Sequence, residues 1–281
     1  MPMPATTVVR CLGDFSLVIN NRPVERWRAG KARSLFQYLL ANRGRLVHRD
    51  RLYEVLWPEA PWSPGSSSLK VAVHGLRQIV AGVGCDDCPP VEIVRIDCGY
   101  RLRADGLWAD FEQFERAFAA GRQAEVAGAR SEALAGYQRA ADAYRGDFLV
   151  GETADWVVEQ REWLRAKALR AMNALLEEAQ RAGDTADVIH WCQLMLQLDP
   201  YQEAIYRTLM LMHGRLGHLG QVRSWHEMCV RRLRVELAVE PDQATTQVFA
   251  QAMGQAARSG RSGGGMARGR GPARLAAPAS A

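Results

Sequence analysis

The sequence lacks any apolar run that approaches the roughly 18 residues needed to cross a bilayer, although 48% of its 281 residues are hydrophobic. Its first residues, Met1-Pro2-Met3-Pro4, carry neither the basic region nor the apolar region of a secretory signal. These absences predict a cytoplasmic protein with no membrane partner. The length is sufficient for two domains that each bury a core of their own.

Signatures of common enzymes are missing as well. There is no HExxH motif, no nucleophile elbow and no kinase signature, and Gly30-Lys31 lacks the preceding glycine of a phosphate-binding loop. His213, His218 and His226 are spread over two predicted helices, which does not favour a metal trio. We therefore expect no enzymatic activity, no catalytic residue, no metal and no cofactor.

Six cysteines are present, and without an export signal they are expected to be reduced. Cys192 and Cys229 lie in helical apolar patterns, as core residues do. Cys85 and Cys88 form a CxxC pair with Cys98 further on, but a structural zinc site needs four ligands and no second CxxC exists. A redox- or metal-tuned regulator that uses Cys85, Cys88 and Cys98 stays open as a third hypothesis.

Charge is distributed unevenly along the chain. Residues 1–106 hold 15 basic and 10 acidic side chains, residues 107–255 hold 16 and 21, and residues 256–281 hold five arginines and no acid. The basic N-terminal segment is a candidate for binding a polyanion, whereas the acidic middle is not. The last segment is mostly Gly, Ala, Ser, Pro and Arg with no aromatic residue, a composition that predicts a disordered basic tail.

The N-terminal segment combines short β patterns with three helix patterns. Strands are predicted over residues 8–12 and 15–19, and a hairpin over 91–96 and 100–103. Helices are predicted over about 31–42, after Asp50 as an N-terminal cap, and over 65–80. A sheet, three helices and a hairpin in this order predict a winged helix-turn-helix.

The third predicted helix is amphipathic. Its apolar face comprises Leu69, Val73, Leu76 and Val80. The opposite face carries hydrogen-bond donors, namely Lys70, His74 and Arg77. A helix that is apolar on one side and rich in donors on the other suits a protein that docks the helix on its core and reads DNA with it.

From residue 107 onward the pattern is helical throughout. Gly183 and Gly217 stand in turns 34 residues apart, which is the period of a tetratricopeptide repeat, but the turn prolines Pro200 and Pro241 are 41 residues apart. The spacing therefore suggests tetratricopeptide-like repeats, but the chain does not keep their period strictly. We predict an α+β winged helix-turn-helix over residues 1–106, an all-α tetratricopeptide-like repeat domain over 107–255, and the tail over 256–281.

The chain resembles the Streptomyces antibiotic regulatory protein family over about residues 7–255. The resemblance rests on the order and spacing of short motifs: Gly30-Lys31, Asp50-Arg51-Leu52, SLKVAVHGLR at 68–77, GYRL at 99–102, Asp110-Phe111 and ELAVEP at 236–241. It implies a transcriptional activator whose OmpR/PhoB-like domain reads tandem direct repeats near a promoter. It also implies a repeat domain that supports a homodimer on DNA and contacts RNA polymerase. Many members activate gene clusters for secondary metabolites.

Roles for individual residues follow if the third helix lies in the major groove. Arg77 is expected to read a guanine, because a guanidinium has two parallel donors. Lys70 is expected to contact phosphate, because an ammonium group is a point charge without such a pair of donors. Val71 would touch a thymine methyl group, while His74 faces the DNA or is simply solvated. Further candidates for DNA contact are Lys31, Arg33, Ser67, Ser68, Arg101 and Arg103. The two serines are alternatively helix caps, and Lys31 and Arg33 are alternatively solvated.

Two positions bear on the alternatives. By the resemblance, Trp62 lies in the loop that meets RNA polymerase; its other interpretation is packing on its own domain. Gly75 stands where the family usually has arginine, which would remove a contact from the reading helix. The second hypothesis is accordingly a protein-interaction scaffold whose winged helix no longer binds DNA.

Overall fold

The computed structural model describes residues 7–27, 30–60, 67–83 and 91–262, with side chains as far as residue 254. It divides into two compact units, Met1–Leu175 and Leu176–Ala281. The second unit begins within a long helix.

The first unit opens with a four-stranded sheet. Its strands are β1 (Thr7–Arg10), β2 (Ser16–Ile19), β3 (Arg22–Pro23) and β7 (Leu107–Ala109), in the spatial order β3-β2-β1-β7. The pairs β1–β2 and β2–β3 are antiparallel, whereas β1–β7 is parallel. Asn20 and Asn21 turn between β2 and β3 with φ of +48° and +62°, a region that asparagine tolerates better than most residues.

Three helices and a second sheet complete the winged helix. The helices are α1 (Ala32–Ala41), α2 (Arg49–Leu56) and α3 (Ser68–Ala81), and the strands are β4 (Val47–His48), β5 (Glu92–Ile96) and β6 (Gly99–Arg103). The strands pair in the order β4-β6-β5, and the β5–β6 hairpin forms the wing. Strand β4, which lies between α1 and α2 in the chain, pairs with β6 of this hairpin. Apolar side chains of the helices are fully buried, among them Leu35, Phe36, Leu39, Leu52 and Leu76. The predicted winged helix-turn-helix is confirmed.

The rest of the first unit is helical. It consists of α4 (Asp110–Val126), α5 (Arg130–Ala143) and most of α6 (Asp155–Ala182). The close approach of α4 and α5 depends on glycine, because a Cβ atom on Gly136 would lie 2.5 Å from the Cα atom of Gly121. These helices belong to the predicted repeat domain, yet they form one compact unit with the winged helix.

The contacts that join them begin at Asp110. Its carboxylate accepts hydrogen bonds from the backbone N–H groups of Cys11, Leu12 and Phe111, at 2.8–3.0 Å. The loop after α5 adds two backbone bonds, from Leu149 N–H to the Cys11 carbonyl and from Gly13 N–H to the Asp147 carbonyl. The sequence boundary between residues 106 and 107 therefore lies inside a hydrogen-bonded unit.

The second unit pairs antiparallel helices in the tetratricopeptide-like manner. It contains the end of α6, then α7 (Thr185–Leu198), α8 (Glu203–Arg215), α9 (Leu219–Arg231), a π-helical turn (Arg232–Glu236) and α10 (Gln243–Ser262). Met210, Val222 and Ala252 form a core here. Gly183 and Gly217 close α6 and α8 with φ of +71° and +74°, the left-handed conformation that glycine adopts without strain.

Local details differ from the sequence-based expectations at three helix ends. Asp50 does not cap α2; His48 occupies the N-cap and Asp50 lies in the first turn, where its charge favours the helix dipole. Ser67 is the N-cap of α3, but its hydroxyl makes no capping bond. Helix α10 continues to Ser262, so residues 256–262 are helical rather than disordered. The remaining tail, 263–281, lies outside the described residues.

Candidate nucleic-acid interface

Helix α3 presents a polar face to solvent. Lys70, His74 and Arg77 are exposed, and 60% of the Val71 surface is exposed as well. The opposite face is buried and comprises Leu69, Ala72, Val73, Leu76 and Val80. The predicted division of the helix into two faces is confirmed. The helix contains no acidic residue, so nothing on the helix itself opposes the approach of phosphate.

Arg77 connects α3 to the wing. Its Nε and Nη2 atoms donate hydrogen bonds to the backbone carbonyl of Ile93 on β5, at 3.2 and 2.6 Å. One edge of the guanidinium is therefore occupied, whereas the edge formed by Nη1 and the second N–H of Nη2 makes no hydrogen bond to the described residues. Two parallel donors on this edge match the paired acceptors of guanine. Arg77 is a candidate both for positioning the wing and for reading a base.

The wing carries the other predicted arginines on β6. Arg101 pairs with Val94 across the hairpin and is half-buried, and its buried Nε atom has no hydrogen-bond partner among the described residues. Arg103 is exposed and lies 3.6 Å from the Glu92 carboxylate. Exposed ion pairs of this kind contribute about 0–1 kcal/mol, so phosphate can replace Glu92 as the partner of Arg103.

The two basic residues at the start of α1 face the helical part of the first unit. The Arg33 guanidinium lies 4.9 Å from the centre of the Phe15 ring and 3.5 Å from the Glu152 carboxylate. Lys31 is exposed and lines a cavity of about 620 Å³ between α1, α2 and the start of α6. Arg33 therefore has an acidic and an aromatic partner within the first unit, but 39% of its side chain is exposed, and its contact with phosphate stays a prediction.

The structure provides less information about the remaining predicted positions. Ser67 and Ser68 are exposed at the start of α3, and their contact with phosphate stays a prediction. Trp62 falls in residues 61–66, outside the described part of the chain, and its two interpretations remain as predictions. Cys85 and Cys88 fall in the undescribed residues 84–90.

Gly75 lies at the edge of the exposed face of α3, about 40° around the helix from Val71. At 100° per residue it is rotated about 140° from Lys70 around the helix, and it is half-buried beside a groove formed with residues 23–26. The effect of Gly75 on contact with DNA therefore stays a prediction, and so does the scaffold hypothesis.

Two negative findings concern other kinds of site. Within the described ranges, no group of three or more His, Cys, Asp or Glu side chains is arranged to hold a metal ion. The helices of the same ranges include none with the length and apolar character of a membrane span.

Comparison with known proteins agrees with this architecture. The sequence model of the bacterial transcriptional activator domain matches residues 109–252, and that of the C-terminal domain of transcriptional regulatory proteins matches residues 27–102. The chain belongs to the Streptomyces antibiotic regulatory protein family. It is thus a member of a family of DNA-binding transcriptional regulators.

Individual relatives have low sequence identity to this chain, but the matches cover most of its length. The regulatory protein DnrI of Streptomyces peucetius is 27% identical over 217 residues, which cover 76% of this chain and 80% of DnrI. The transcriptional regulatory protein MoaR1 of Mycobacterium tuberculosis is 26% identical over 214 residues, which cover 75% of this chain and 68% of MoaR1. These relatives are regulators and not enzymes.

A solved structure shares the fold. Mycobacterium tuberculosis EmbR, solved in complex with a low-affinity phosphopeptide, superposes with a TM-score of 0.63 at 23% identity. The match covers 92% of this chain and 69% of the EmbR chain. At this identity the likeness concerns the fold alone.

The structure adds three residues to the candidate interface that sequence reasoning missed. Gln78 is exposed, and its spacing of four from His74 places it on the same face of α3. That spacing was a usable signal. Arg49 and His48 lie at the start of α2 beside the wing turn, where the Arg49 N–H donates to the Cys98 carbonyl. Their proximity to the wing depends on pairing between β4 and β6, which no local pattern reveals.

Proposed function

We propose that this regulator is a sequence-specific transcriptional activator that binds tandem direct repeats in promoter DNA. The observation that carries the proposal is the exposed, acid-free face of α3 with Lys70, Val71, His74 and Arg77 next to the wing. A helix with these donors fits the major groove, while Arg101 and Arg103 on the wing approach the adjacent minor groove or its phosphates.

Recruitment of RNA polymerase and a homodimer on DNA form the second part of the proposal. They rest on the family resemblance, with Trp62 as the proposed polymerase contact and the helical domain as the dimer support. Two copies on direct repeats would place their reading helices on one side of the duplex, about one helical turn apart. Control of a secondary-metabolite gene cluster is the expected biological setting.

The first test maps binding of the full chain across its genome and then footprints the strongest sites. We expect protection of two or more direct repeats spaced by about 10–11 base pairs. Affinity should fall steeply with salt, because phosphate contacts release bound counterions. Binding that ignores salt, or partner capture by residues 107–255 with no DNA binding at all, would instead support the scaffold hypothesis.

A second prediction separates the roles of Lys70 and Arg77. Lys70→Ala should weaken all sequences alike and reduce the slope of log affinity against log salt by about one. Arg77→Ala should instead lower discrimination at one base position by about 1–3 kcal/mol. Affinities for the repeat and for every single-base variant of it measure both effects.

Arg223→Ala is the matched control, because Arg223 is an exposed arginine on α9 of the second unit. Since Arg77 also binds the Ile93 carbonyl, the melting temperature of each variant must be recorded beside its affinity. Identical loss of discrimination in the Lys70 and Arg77 variants contradicts the assigned roles.

A further inference from the structure

Cys98 lies in the wing turn, in contact with a potential base. The turn Asp97-Cys98 connects β5 to β6, and the Cys98 side chain is exposed. Its Sγ atom is 3.2 Å from Nδ1 of His48, which is also exposed. A thiol and an imidazole nitrogen at this distance form a pair in which the imidazole can take the proton when the sulfur reacts as a nucleophile.

The fold fixes this pair although its members are 50 residues apart in sequence. His48 on β4 is the cross-strand partner of Gly99 on β6. The N–H of Arg49 donates to the Cys98 carbonyl at 2.9 Å, which attaches the turn to the start of α2. A Cβ atom on Gly99 would overlap the carbonyl oxygen of Val47, so the two strands approach this closely only because residue 99 is glycine.

The other described thiols are unreactive by comparison. Cys11, Cys192 and Cys229 are buried. Burial raises the pKa of Cys192 to about 12 and that of Cys229 to about 11. Burial, and then the charge of Asp110, raises the pKa of Cys11 even further. Because the thiolate is the reactive form, burial and the raised pKa both disfavour reaction of these three side chains at neutral pH. Among the cysteines in the described ranges, Cys98 alone combines exposure with a neighbouring imidazole.

We propose that Cys98 is a modification site that forms a mixed disulfide with a low-molecular-weight disulfide and thereby weakens DNA binding. In the reaction the Cys98 sulfur attacks one sulfur of the small disulfide, and His48 takes the thiol proton. A new S–S bond forms, the original S–S bond breaks, and the leaving sulfur receives the proton to become a free thiol. The Cys98 sulfur is oxidised, and the leaving sulfur is reduced.

The consequence for DNA binding rests on the proposed function, whereas the chemistry does not. The modified sulfur would stand at the tip of the wing, beside the exposed side chain of Arg49. A bulky group with a net negative charge at this position opposes the approach of phosphate and keeps the wing away from the duplex. Reduction by excess thiol would restore binding.

The chemical test uses glutathione disulfide as the probe. The background protein is the full chain with Cys85→Ser and Cys88→Ser, because these two cysteines lie outside the described residues. Mass spectrometry should show one added glutathione per chain, located on Cys98 by peptide mapping and absent after Cys98→Ser. His48→Gln should slow the modification at least about tenfold, whereas His190→Gln, an exposed histidine on α7, should leave the rate within about twofold. Addition at another cysteine, or an unchanged rate in His48→Gln, would overturn the proposal.

The binding test compares reduced and modified protein on the same direct-repeat duplex. Modified protein should bind at least about tenfold more weakly, excess reductant should restore the affinity, and reduced Cys98→Ser should bind as reduced background protein does. If the reduced background protein binds no DNA, the proposed function fails while the mass shift still reports on Cys98. If reduced protein binds and the modified protein binds equally well, the regulatory inference fails and the proposed function stands.

Discussion

Asp110→Ala is expected to lower the free energy of unfolding of the first unit by about 3–5 kcal/mol, since each buried N–H left without an acceptor costs about 1–3 kcal/mol. The carboxylate is buried and accepts from the backbone N–H groups of Cys11, Leu12 and Phe111. Its charge sits in the first turn of α4, where the helix dipole favours it. Alanine would leave three donors unsatisfied at the junction between β1 and α4.

Urea unfolding of the full chain measures the overall change. Because the two units need not unfold together, amide hydrogen exchange at Cys11 and Leu12 is the more local measurement. Exchange there should accelerate strongly in Asp110→Ala, with less change in the second unit. Asp105→Ala is the matched control, because Asp105 is exposed and lies five residues earlier in the chain. If both variants unfold alike, Asp110 does not hold the junction.

The structure that the sequence predicted correctly has local determining signals. Helix α7 begins at Thr185 for local reasons, because Gly183 ends the preceding helix and the Asp184 carboxylate caps the next by accepting from Ala186 and Asp187 N–H. The faces of α3 were predicted for a similar reason: its apolar residues recur with the helical period.

Features that depend on the path of the chain were not predictable. The parallel pairing of β1 with β7 joins residues about a hundred positions apart, and the Asp110 hydrogen bonds to Cys11 span 99 positions. At the candidate site, the sequence identified Arg77 as a basic residue on the polar face of α3 and Arg33 as a basic residue at the start of α1. It could not reveal that Ile93 and Glu152 are their partners, because both partners come from other elements.

Gly99→Ala is expected to displace the wing and to reduce DNA affinity at least about tenfold, because overpacking a backbone contact typically costs about 1–3 kcal/mol. The added methyl group would overlap the Val47 carbonyl oxygen and lie 2.9 Å from the Val47 carbonyl carbon and 3.0 Å from Leu46 Cδ1. The obstacle is mainly backbone, so no flexible side chain can move aside. Strand β6 must separate from β4, and the Arg49–Cys98 bond that attaches the turn to α2 is lost with it.

Gly30→Ala provides the control for Gly99→Ala, because a Cβ atom on Gly30 would meet no atom within 4 Å. Affinity for the direct-repeat duplex and the melting temperature should both fall in Gly99→Ala and stay near wild type in Gly30→Ala. The same displacement would carry Cys98 away from His48, so the rate of mixed-disulfide formation should fall as well. Full DNA affinity in Gly99→Ala would mean that the wing contributes nothing to binding. In that case α3 alone would have to account for recognition.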